Sequence, residues 1–249
     1  MPELPEVDSY RTGLNKMIKG WTLEGGKAIW PKACTYDFHL VSNQRIVGFD
    51  RRGKYLIINL TKHHIIIHLR MTGKLYVQPK IDKSKKHISA YLQFSDKYLI
   101  FEDTRKFGKF YLYDSINFLD NKLGIEPLSR DFTQKWLIDN LKTKSRQMKQ
   151  LLLDQSFVVG LGNIYIDEVL WYAKIHPLSK SDNIPTKKVK ELQRLESGFL
   201  QMTGKSFDEY EIQQLAGQRR PAEEMVEIIK TTNFERGKSE NLIAAEVGE

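Results

Sequence analysis

The sequence predicts an α+β fold in which an N-terminal antiparallel β-sandwich with flanking helices is followed by a helical domain. Short runs of β-branched and aromatic residues, separated by turn residues, fill the chain from about residue 45 to residue 113. After residue 130 the apolar residues recur at steps of three to five, which is typical of amphipathic helices. The length of 249 residues and a hydrophobic content of 41% are sufficient for two domains, each with its own core.

Five runs in the first half have the composition of antiparallel strands. They are KYLIINL (54–60), HIIIHL (64–69), SAYLQF (89–94), KYLIFED (97–103) and KFYLY (109–113). Two of the connections contain glycine and polar residues: RMTGK at 70–74, here called the first tip, and TRKFGK at 104–109, the second tip. We expect both tips to be exposed at the rim of a sheet, where their side chains are able to reach a ligand.

Three apolar series in the second half predict helices. They are Phe132, Trp136, Leu137 and Leu141, then Ile166, Val169, Leu170 and Ala173, then Val189, Leu192, Leu195 and Phe199. Residues 114–130 contain Gly124 and Pro127 and read as a connecting segment. The predicted organisation is a β-sandwich domain at 1–117, a linker at 118–130, a helical domain at 131–210 and a final segment at 211–249.

The composition indicates a polyanion as the partner. The chain has 39 Lys and Arg against 31 Asp and Glu, a formal net charge of +8 and a pI near 9.3, which favours nucleic acid. By charge alone, a basic RNA-binding module remains an alternative. The single cysteine, Cys34, excludes an internal disulfide and a cysteine-based zinc site, and we expect it to be structural in a reducing compartment.

No apolar run approaches the roughly 20 residues that span a bilayer, and MPELPEV lacks the composition of a signal peptide. We therefore expect a soluble intracellular monomer, in the bacterial cytoplasm or in a nucleus. The histidine cluster at 63–68 predicts no metal site. His64 and His68 share a strand face but lie about 13 Å apart at ~3.3 Å per residue, too far to bind one ion.

The N-terminus carries a possible nucleophile. If Met1 is removed, Pro2 presents a secondary amine, and a free α-amino group has a pKa near 7.7–8.0. A useful fraction is then unprotonated at neutral pH and able to attack a sugar carbon to form an iminium. Glu3 is adjacent in the chain and is well placed to move protons.

Seven motifs follow one another in an order and spacing that resemble the formamidopyrimidine-DNA glycosylase family, of which endonuclease VIII is a relative. They are MPELPEV, RRGKYL, HLRMTGKL, EDTRKFGKF, KQLLLDQ, GLGNIYIDEVLW and IHPL, and the resemblance runs from residue 1 to about 178. Leu4 favours the formamidopyrimidine branch, because endonuclease VIII-type members usually have glycine there. The resemblance implies that 1–117 is the catalytic domain and that 131–210 is a helix-two-turn-helix DNA-binding domain.

The resemblance also implies the reaction and its residues. Pro2 is expected to be the nucleophile and Glu3 the general acid and base, with Glu6 assisting. Lys54, behind Arg51 and Arg52, is expected to contact the phosphates that flank the lesion. The implied enzyme flips an oxidised base out of damaged duplex DNA, cleaves it from the sugar and breaks the strand by β- and δ-elimination, without a cofactor.

Base flipping leaves a void in the stack that must be filled. Met71 in the first tip, with Arg105 and Phe107 in the second, matches the family's void-filling trio. Residues two apart in extended backbone project to the same side, so Phe107 is expected to enter the stack while Arg105 pairs with the widowed base. Both Met71 and Phe107 stand within two residues of a glycine in polar turns, where a core residue is unexpected.

Two glycines in the helical half, Gly160 and Gly162, allow a tight turn before a helix. Asn163 is expected to cap a helix that begins at Ile164 and to leave backbone N–H groups free for a phosphate. The resemblance assigns Asn163 and Lys149 to such phosphate contacts.

The sequence departs from the family pattern in its final segment. Members typically carry a zinc finger there, but Ala222, Met225, Asn241 and Ala244 stand near the cysteine positions, so no zinc is expected. Residues 211–249 are then either a zincless finger-like hairpin or a degenerate tail. Arg236 is the candidate for the hairpin arginine that reaches the DNA.

A second departure affects the substrate. Between SFDEYE (206–211) and QQLAGQRRP (213–221) the family usually has a longer loop, which closes over an extruded 8-oxoguanine. A shortened loop leaves formamidopyrimidine as the expected substrate and 8-oxoguanine in doubt, with oxidised pyrimidines or hydantoins as alternatives. A further alternative is a non-catalytic lesion-binding protein.

Overall fold

The first part of the chain folds into two antiparallel sheets. The computed structural model describes residues 2–82 and 84–203. The elements of this part are α1 (Leu4–Ile18), β1 (Thr22–Leu23), β2 (Gly25–Ala28), β3 (Gln44–Arg52), β4 (Tyr55–Leu60), β5 (His64–His68), β6 (Gly73–Gln78), β7 (Ile88–Gln93), β8 (Tyr98–Asp103) and β9 (Lys109–Tyr113). Two short 3-10 helices, Pro31–Ala33 and Phe38–Val41, lie between β2 and β3.

Within the described ranges, one sheet has the strand order β1-β3-β4-β5-β9 and the other β2-β7-β8-β6. Apolar residues from both sheets and from α1 form one buried cluster, in which each fully buried aliphatic side chain contributes about 1.5–3 kcal/mol. The cluster includes Leu56, Ile58, Ile65, Ile67, Leu99 and Phe101. The predicted β-sandwich and the α+β class are confirmed, and the five predicted strands correspond to β4, β5, β7, β8 and β9.

Sequence reasoning did not name β3 and β6 as strands. In β3 the apolar alternation is interrupted at Gly48, where the register with β4 shifts, and the strand ends in charged residues. In β6 the strand starts at Gly73, within the expected first tip. Both strands are formed because neighbouring strands supply hydrogen-bond partners that local composition does not reveal.

The second part of the chain is helical. Its elements are α2 (Asn117–Lys122), α3 (Gln134–Lys142), α4 (Met148–Leu153), α5 (Asn163–Tyr172), a 3-10 helix (Ser181–Asn183) and α6 (Thr186–Thr203). The three predicted apolar series correspond to α3, α5 and α6, although Phe132 precedes α3 and Ala173 is the C-cap residue of α5. Helix α6 packs on α3 and α5 and also contacts α1, which joins this part to the sandwich.

The segment expected to be a linker contains a helix. Helix α2 occupies most of its first half and places the buried Leu119 on Ile57 and Ile66, a cross-strand pair on the outer face of β4 and β5. The connection between the two parts is therefore packed against the sandwich at its start.

The two parts dock directly, and all the described residues fall within one compact unit, Met1–Ile212. The Leu4 amide donates a hydrogen bond to the Gly160 carbonyl at 3.0 Å, which ties the start of α1 to the loop before α5. Gly160 has a φ of +94°, so the tight turn predicted from its glycine is present. Within the described ranges, none of the helices combines the length and the apolar character that crossing a bilayer requires.

Candidate active site

Glu3 occupies the N-cap of α1 and begins the candidate site. The Glu3 amide donates to Glu6 Oε2 at 2.8 Å, and the Glu3 side chain faces the amide of Glu6 in a capping box. The other oxygen of Glu6 accepts a hydrogen bond from the Tyr165 hydroxyl at 2.8 Å. The first turn of α1 is thus fixed by its own residues and by α5.

The Glu3 carboxylate is buried against the first turn of α5, with only 1% of the residue exposed. Its Oε2 accepts a hydrogen bond from the Gly162 amide at 2.5 Å, and its Oε1 accepts one from the Ile164 amide at 3.1 Å. These amides are among those that a helix leaves unsatisfied at its start, where a negative charge is favourable. Glu3 therefore caps two helices, its own and that of the second domain.

This arrangement corrects the expectation for Asn163. Helix α5 begins at Asn163 rather than at Ile164, and its N-cap residue is Gly162. Because glycine has no side chain, the N-cap residue makes no side-chain hydrogen bond to the helix. Two backbone N–H groups that were expected to be free for a phosphate instead bind Glu3. The physical reason is that a carboxylate brought in by α1 satisfies these donors in place of a local asparagine. The Asn163 side chain itself is exposed.

Lys54 lies in the turn between β3 and β4 and reaches the same position. A methyl group built at Gly162 would come within 2.5 Å of Glu3 Oε1 and 2.8 Å of Lys54 Nζ, so both side chains converge on this glycine. Burial raises the pKa of Glu3, while Lys54 and the two amides oppose the shift. Burial also lowers the pKa of Lys54, opposed by Glu3 and Glu6. The pKa values of the Glu3 carboxyl group and the Lys54 amine are therefore closer to each other than those of an ordinary glutamate and lysine.

Pro2 is half-buried and immediately precedes Glu3. Because Glu3 is bound to α5 and Leu4 is bonded to Gly160, the chain on the C-terminal side of Pro2 is fixed at two successive residues. The position of the Pro2 nitrogen is therefore determined by the same contacts that hold the Glu3 carboxylate.

The two tips lie side by side and bring together the three residues expected to fill the void. Met71 and Phe107 are large apolar residues that remain 45% and 51% exposed. Arg105 lies between them, with Nη1 2.9 Å from Met71 Sδ and its guanidinium 5.0 Å from the centre of the Phe107 ring. The expectation that both tips are exposed is confirmed.

The contact between Arg105 and Phe107 does not arise from extended backbone, and the predicted extended conformation of this segment is wrong. Lys106, between them, has a φ of +58°, and residues 104–108 form no strand. The left-handed conformation of Lys106 turns the chain so that the two side chains meet. Lys106 itself places its ammonium 4.6 Å from the centre of the Trp30 ring.

His68 ends β5 near Lys54. Burial, with Arg70 and Lys54 nearby, lowers the pKa of His68 to about 4. Its Nδ1 accepts a hydrogen bond from the Arg70 amide at 3.0 Å, which fits a neutral ring with the proton on Nε2. The histidine is therefore a neutral donor beside two cations.

Two arginines of the RRGK motif connect the site to the second part of the chain. Arg51 Nη1 lies 2.9 Å from Glu126 Oε2, and Arg52 Nη1 lies 3.2 Å from Glu126 Oε1. The Gly53 amide also donates to Glu126 Oε1, at 2.6 Å. Sequence reasoning missed Glu126 and Tyr165, because nothing in the local sequence indicates partners this far away in the chain.

Of the two remaining residues predicted to contact DNA, Lys149 lies within the described residues and Arg236 does not. Lys149, in α4, forms an ion pair with Asp167 of α5 at 2.7 Å. Arg236 and the four positions expected to lack zinc ligands, Ala222, Met225, Asn241 and Ala244, lie outside the described residues. In the part of the chain that the structure describes, no three His, Cys, Asp or Glu side chains are grouped to hold a metal ion.

A cavity of about 540 Å³ lies away from these residues, beside β2 and the 3-10 helices. It is lined in part by Lys27, Cys34, Tyr36 and Gln93. Burial raises the pKa of the Cys34 thiol to about 11, and the sulfur donates to the Tyr36 carbonyl at 3.3 Å. A thiol that stays protonated and hydrogen-bonded supports the structural interpretation of Cys34.

Comparison with known proteins gives matches along the described part of the chain. The family model of the formamidopyrimidine-DNA glycosylase N-terminal domain matches residues 1–110, and that of the formamidopyrimidine-DNA glycosylase H2TH domain matches residues 123–203. The formamidopyrimidine-DNA glycosylase of Lactobacillus acidophilus is 43% identical over 199 residues, which cover 76% of this chain and 72% of the relative.

Solved structures of Lactococcus lactis Fpg are also similar. Its complex with DNA containing an abasic site has a TM-score of 0.77 and 36% identity, with 82% of this chain and 78% of that chain covered. A complex of the same enzyme with DNA containing N7-benzyl-Fapy-dG has the same TM-score and identity, covering 82% and 79%.

The fold and the two domain matches together identify a DNA glycosylase of base excision repair. The chain belongs to the formamidopyrimidine-DNA glycosylase family.

Proposed function

We propose that this chain is a bifunctional DNA glycosylase and abasic-site lyase that acts as a monomer on damaged duplex DNA. It removes oxidised bases, formamidopyrimidines among them, through a covalent bond between Pro2 and the deoxyribose. The observation that carries the proposal is the convergence of Lys54 and Glu3, the residue that follows Pro2, at the start of α5.

The Pro2 nitrogen, freed by removal of Met1, attacks C1′ of the extruded nucleotide. The N–C1′ bond forms as the bond to the base breaks, and the base leaves with the bonding electrons and takes up a proton. The Pro2 nitrogen loses the proton that it carried as an amine, which frees its lone pair for the next step. Opening of the C1′–O4′ bond, with a proton delivered to O4′, gives the iminium. Loss of a proton from C2′ then expels the 3′ phosphate, and loss of a proton from C4′ expels the 5′ phosphate. No step needs a cofactor.

Glu3 is the proton donor and acceptor in this sequence. Its raised pKa keeps the carboxyl group protonated to a higher pH than an ordinary glutamate, which suits delivery of a proton to O4′. Two backbone amides fix its direction, so little reorganisation is needed when the substrate arrives. Glu6 assists by holding the Glu3 amide and the Tyr165 hydroxyl.

The phosphates are held by residues around this centre. Lys54 contacts those that flank the lesion, and the neutral His68 beside it donates a hydrogen bond without adding to the local positive charge. Lys149 and the exposed Asn163 contact the phosphates from the helical domain, and Arg236 from the final segment. Met71, Arg105 and Phe107 fill the void, which is supported by their mutual contact at the exposed tips.

Borohydride reduction on an oligonucleotide with an abasic site tests the covalent step. We expect a stable adduct with wild-type protein whose intact mass shows that Met1 is absent, and peptide mapping should locate the adduct on Pro2. Retention of Met1 should abolish the adduct while DNA binding persists. A wild-type adduct that maps to a lysine, or no adduct from protein with a free Pro2, would overturn the proposal.

The same experiment separates the enzyme from a non-catalytic lesion-binding protein, since a binder forms no adduct. The substrate is tested by excision from duplexes that carry formamidopyrimidine, 8-oxoguanine, thymine glycol or a hydantoin. Formamidopyrimidine should be released fastest. Preferential release of thymine glycol or of a hydantoin would transfer the proposal to oxidised pyrimidines or hydantoins, with the same covalent chemistry.

A further inference from the structure

The carboxylate of Asp103 lies at the base of the two tips. Asp103 is the last residue of β8, and none of it is exposed to solvent. Its Oδ2 accepts a hydrogen bond from the Gly108 amide at 2.7 Å, and its Oδ1 accepts one from the Arg105 amide at 3.2 Å. One buried side chain therefore binds the second tip at both ends, and these donors offset the cost of burying it.

Thr72 brings the first tip to the same carboxylate. Its hydroxyl donates a short hydrogen bond to Asp103 Oδ1, and its oxygen accepts a hydrogen bond from the Arg105 amide at 3.1 Å. Thr72 directly follows Met71 in the chain. The backbone positions that carry Met71 and Arg105 are therefore linked through two side chains below the exposed surface.

Each tip contains a glycine that packs closely on the core. A methyl group at Gly73 would lie 2.8 Å from Phe101 Cε2, and one at Gly108 would lie 2.3 Å from Phe101 Cζ. Both tips therefore pack against the buried ring of Phe101. The hydrogen bonds of Asp103 and Thr72 then determine how the tips sit relative to each other.

We propose that Asp103 and Thr72 are positioning residues for base extrusion, which hold the two tips as one rigid wedge. The proposal rests on the proposed function, because it concerns how the void-filling side chains are presented to DNA. Filling the void requires Met71 from the first tip and Arg105 and Phe107 from the second tip to reach the DNA together. If the tips move independently, the stack closes again before the base is captured.

Thr72→Val is the sharpest test, because it removes the hydroxyl at nearly constant shape. Two substrates are compared in single-turnover reactions: a duplex with a formamidopyrimidine lesion, and a single-stranded abasic oligonucleotide, which has no stack to refill. We expect Thr72→Val to slow excision from the duplex about ten-fold, the effect of one hydrogen bond, and to change single-strand cleavage less than about two-fold. Thr72→Ser should restore the wild-type duplex rate.

Thr35→Val is the matched control, since Thr35 donates to the Phe110 carbonyl at 3.3 Å in the same sandwich, and it should leave both rates unchanged. Asp103→Asn is the second variant. Whichever way its amide turns, the NH2 group faces either the Gly108 amide or the Arg105 amide. Its duplex rate should fall further than that of Thr72→Val. Melting curves identify any loss of folding, in which case the Thr72 comparison decides.

Phe107→Ala provides the reference for the wedge itself. If Phe107→Ala lowers the duplex rate selectively and Thr72→Val does not, the coupling of the tips is wrong while the proposed function stands. Equal losses on both substrates for Thr72→Val would likewise overturn the positioning role. If Phe107→Ala itself shows no selectivity, the void-filling part of the proposed function fails.

Discussion

Glu3 and Gly162 are separated by 159 positions in the chain, yet the carboxylate of the first accepts a hydrogen bond from the amide of the second at 2.5 Å. The contact joins the residue after the proposed nucleophile to the start of helix α5. Any change that moves the beginning of α5 therefore also moves the proposed proton donor.

Gly162→Ala should reduce base excision by about 100-fold, the scale of a misplacement of about 1 Å in a catalytic group. The new methyl group would meet Glu3 Oε1 at 2.5 Å and Lys54 Nζ at 2.8 Å, so one of these side chains must leave its place. Single-turnover rates on a lesion duplex measure the effect. Gly48→Ala is the control, because the nearest atom to its methyl group would be 3.7 Å away. Equal rates in the two variants would contradict the assignment of the site.

Glu126→Ala should lower the free energy of unfolding by about 2–4 kcal/mol, because Arg51 and Arg52 lose their shared, partly buried partner. The Glu126 side chain is 18% exposed. Asp120→Ala removes a different partner of Arg52, at 2.9 Å, but that carboxylate is 65% exposed, so the loss should stay within about 1 kcal/mol. Urea unfolding curves compare the two variants, and similar losses would show that burial does not set the difference.

Stability should fall as the pH is lowered through the range in which His68 titrates. The pKa of His68 is about 4 in the folded protein, below the reference value of 6.5, so the unfolded chain binds the proton more tightly. The contribution of His68 to the free energy of unfolding is complete above about pH 6.5 and decreases towards pH 4. Between pH 7 and pH 5 it decreases by about 2 kcal/mol. Urea unfolding of His68→Gln should show a smaller pH dependence by that amount.

His87→Gln serves as the control for this measurement, because the His87 side chain is exposed. Its stability should follow the wild-type pH dependence. A His68→Gln curve that parallels the wild type would show that His68 is not the group responsible.

Lys149→Ala should reduce the slope of log affinity against log salt concentration by about 0.9, the share of one phosphate contact. Asp167→Asn should raise the affinity for DNA at low salt, because it removes the negative charge that lies 2.7 Å from the Lys149 ammonium. Titration of a duplex with a stable abasic analogue at several salt concentrations measures both. Lys135→Ala, which breaks a comparable pair with Asp139, is expected to leave the slope unchanged.

Much of the fold could be predicted from the sequence, since its signals are local. The strands β4 and β5 are short runs of mostly apolar residues with isoleucines at their centres, and the helix series follow the helical period. The docking of the two parts could not be predicted. The hydrogen bonds from the Leu4 amide to the Gly160 carbonyl and from the Ile164 amide to the Glu3 carboxylate join residues whose local sequences do not indicate one another.

The candidate site shows the same division. The resemblance supplied Pro2, Glu3 and Lys54, but the cap of α5 was assigned to Asn163 by local reasoning, and a distant carboxylate took that place. The local sequence indicates Asp103 only weakly, because it is an acidic residue that ends a predicted strand just before a turn that contains Gly108. That signal predicts a turn, and only the structure shows that the same carboxylate also binds Thr72.

The loop around Gly160 lies between the start of α1 and the turn at Gly53, whose Cα position faces Val159. A protease that nicks the exposed connection between α3 and α4 would therefore sever the backbone without releasing two independent fragments. The pieces should travel together on a sizing column until denaturant separates them. Fragments made separately on either side of this connection should therefore assemble when they are mixed.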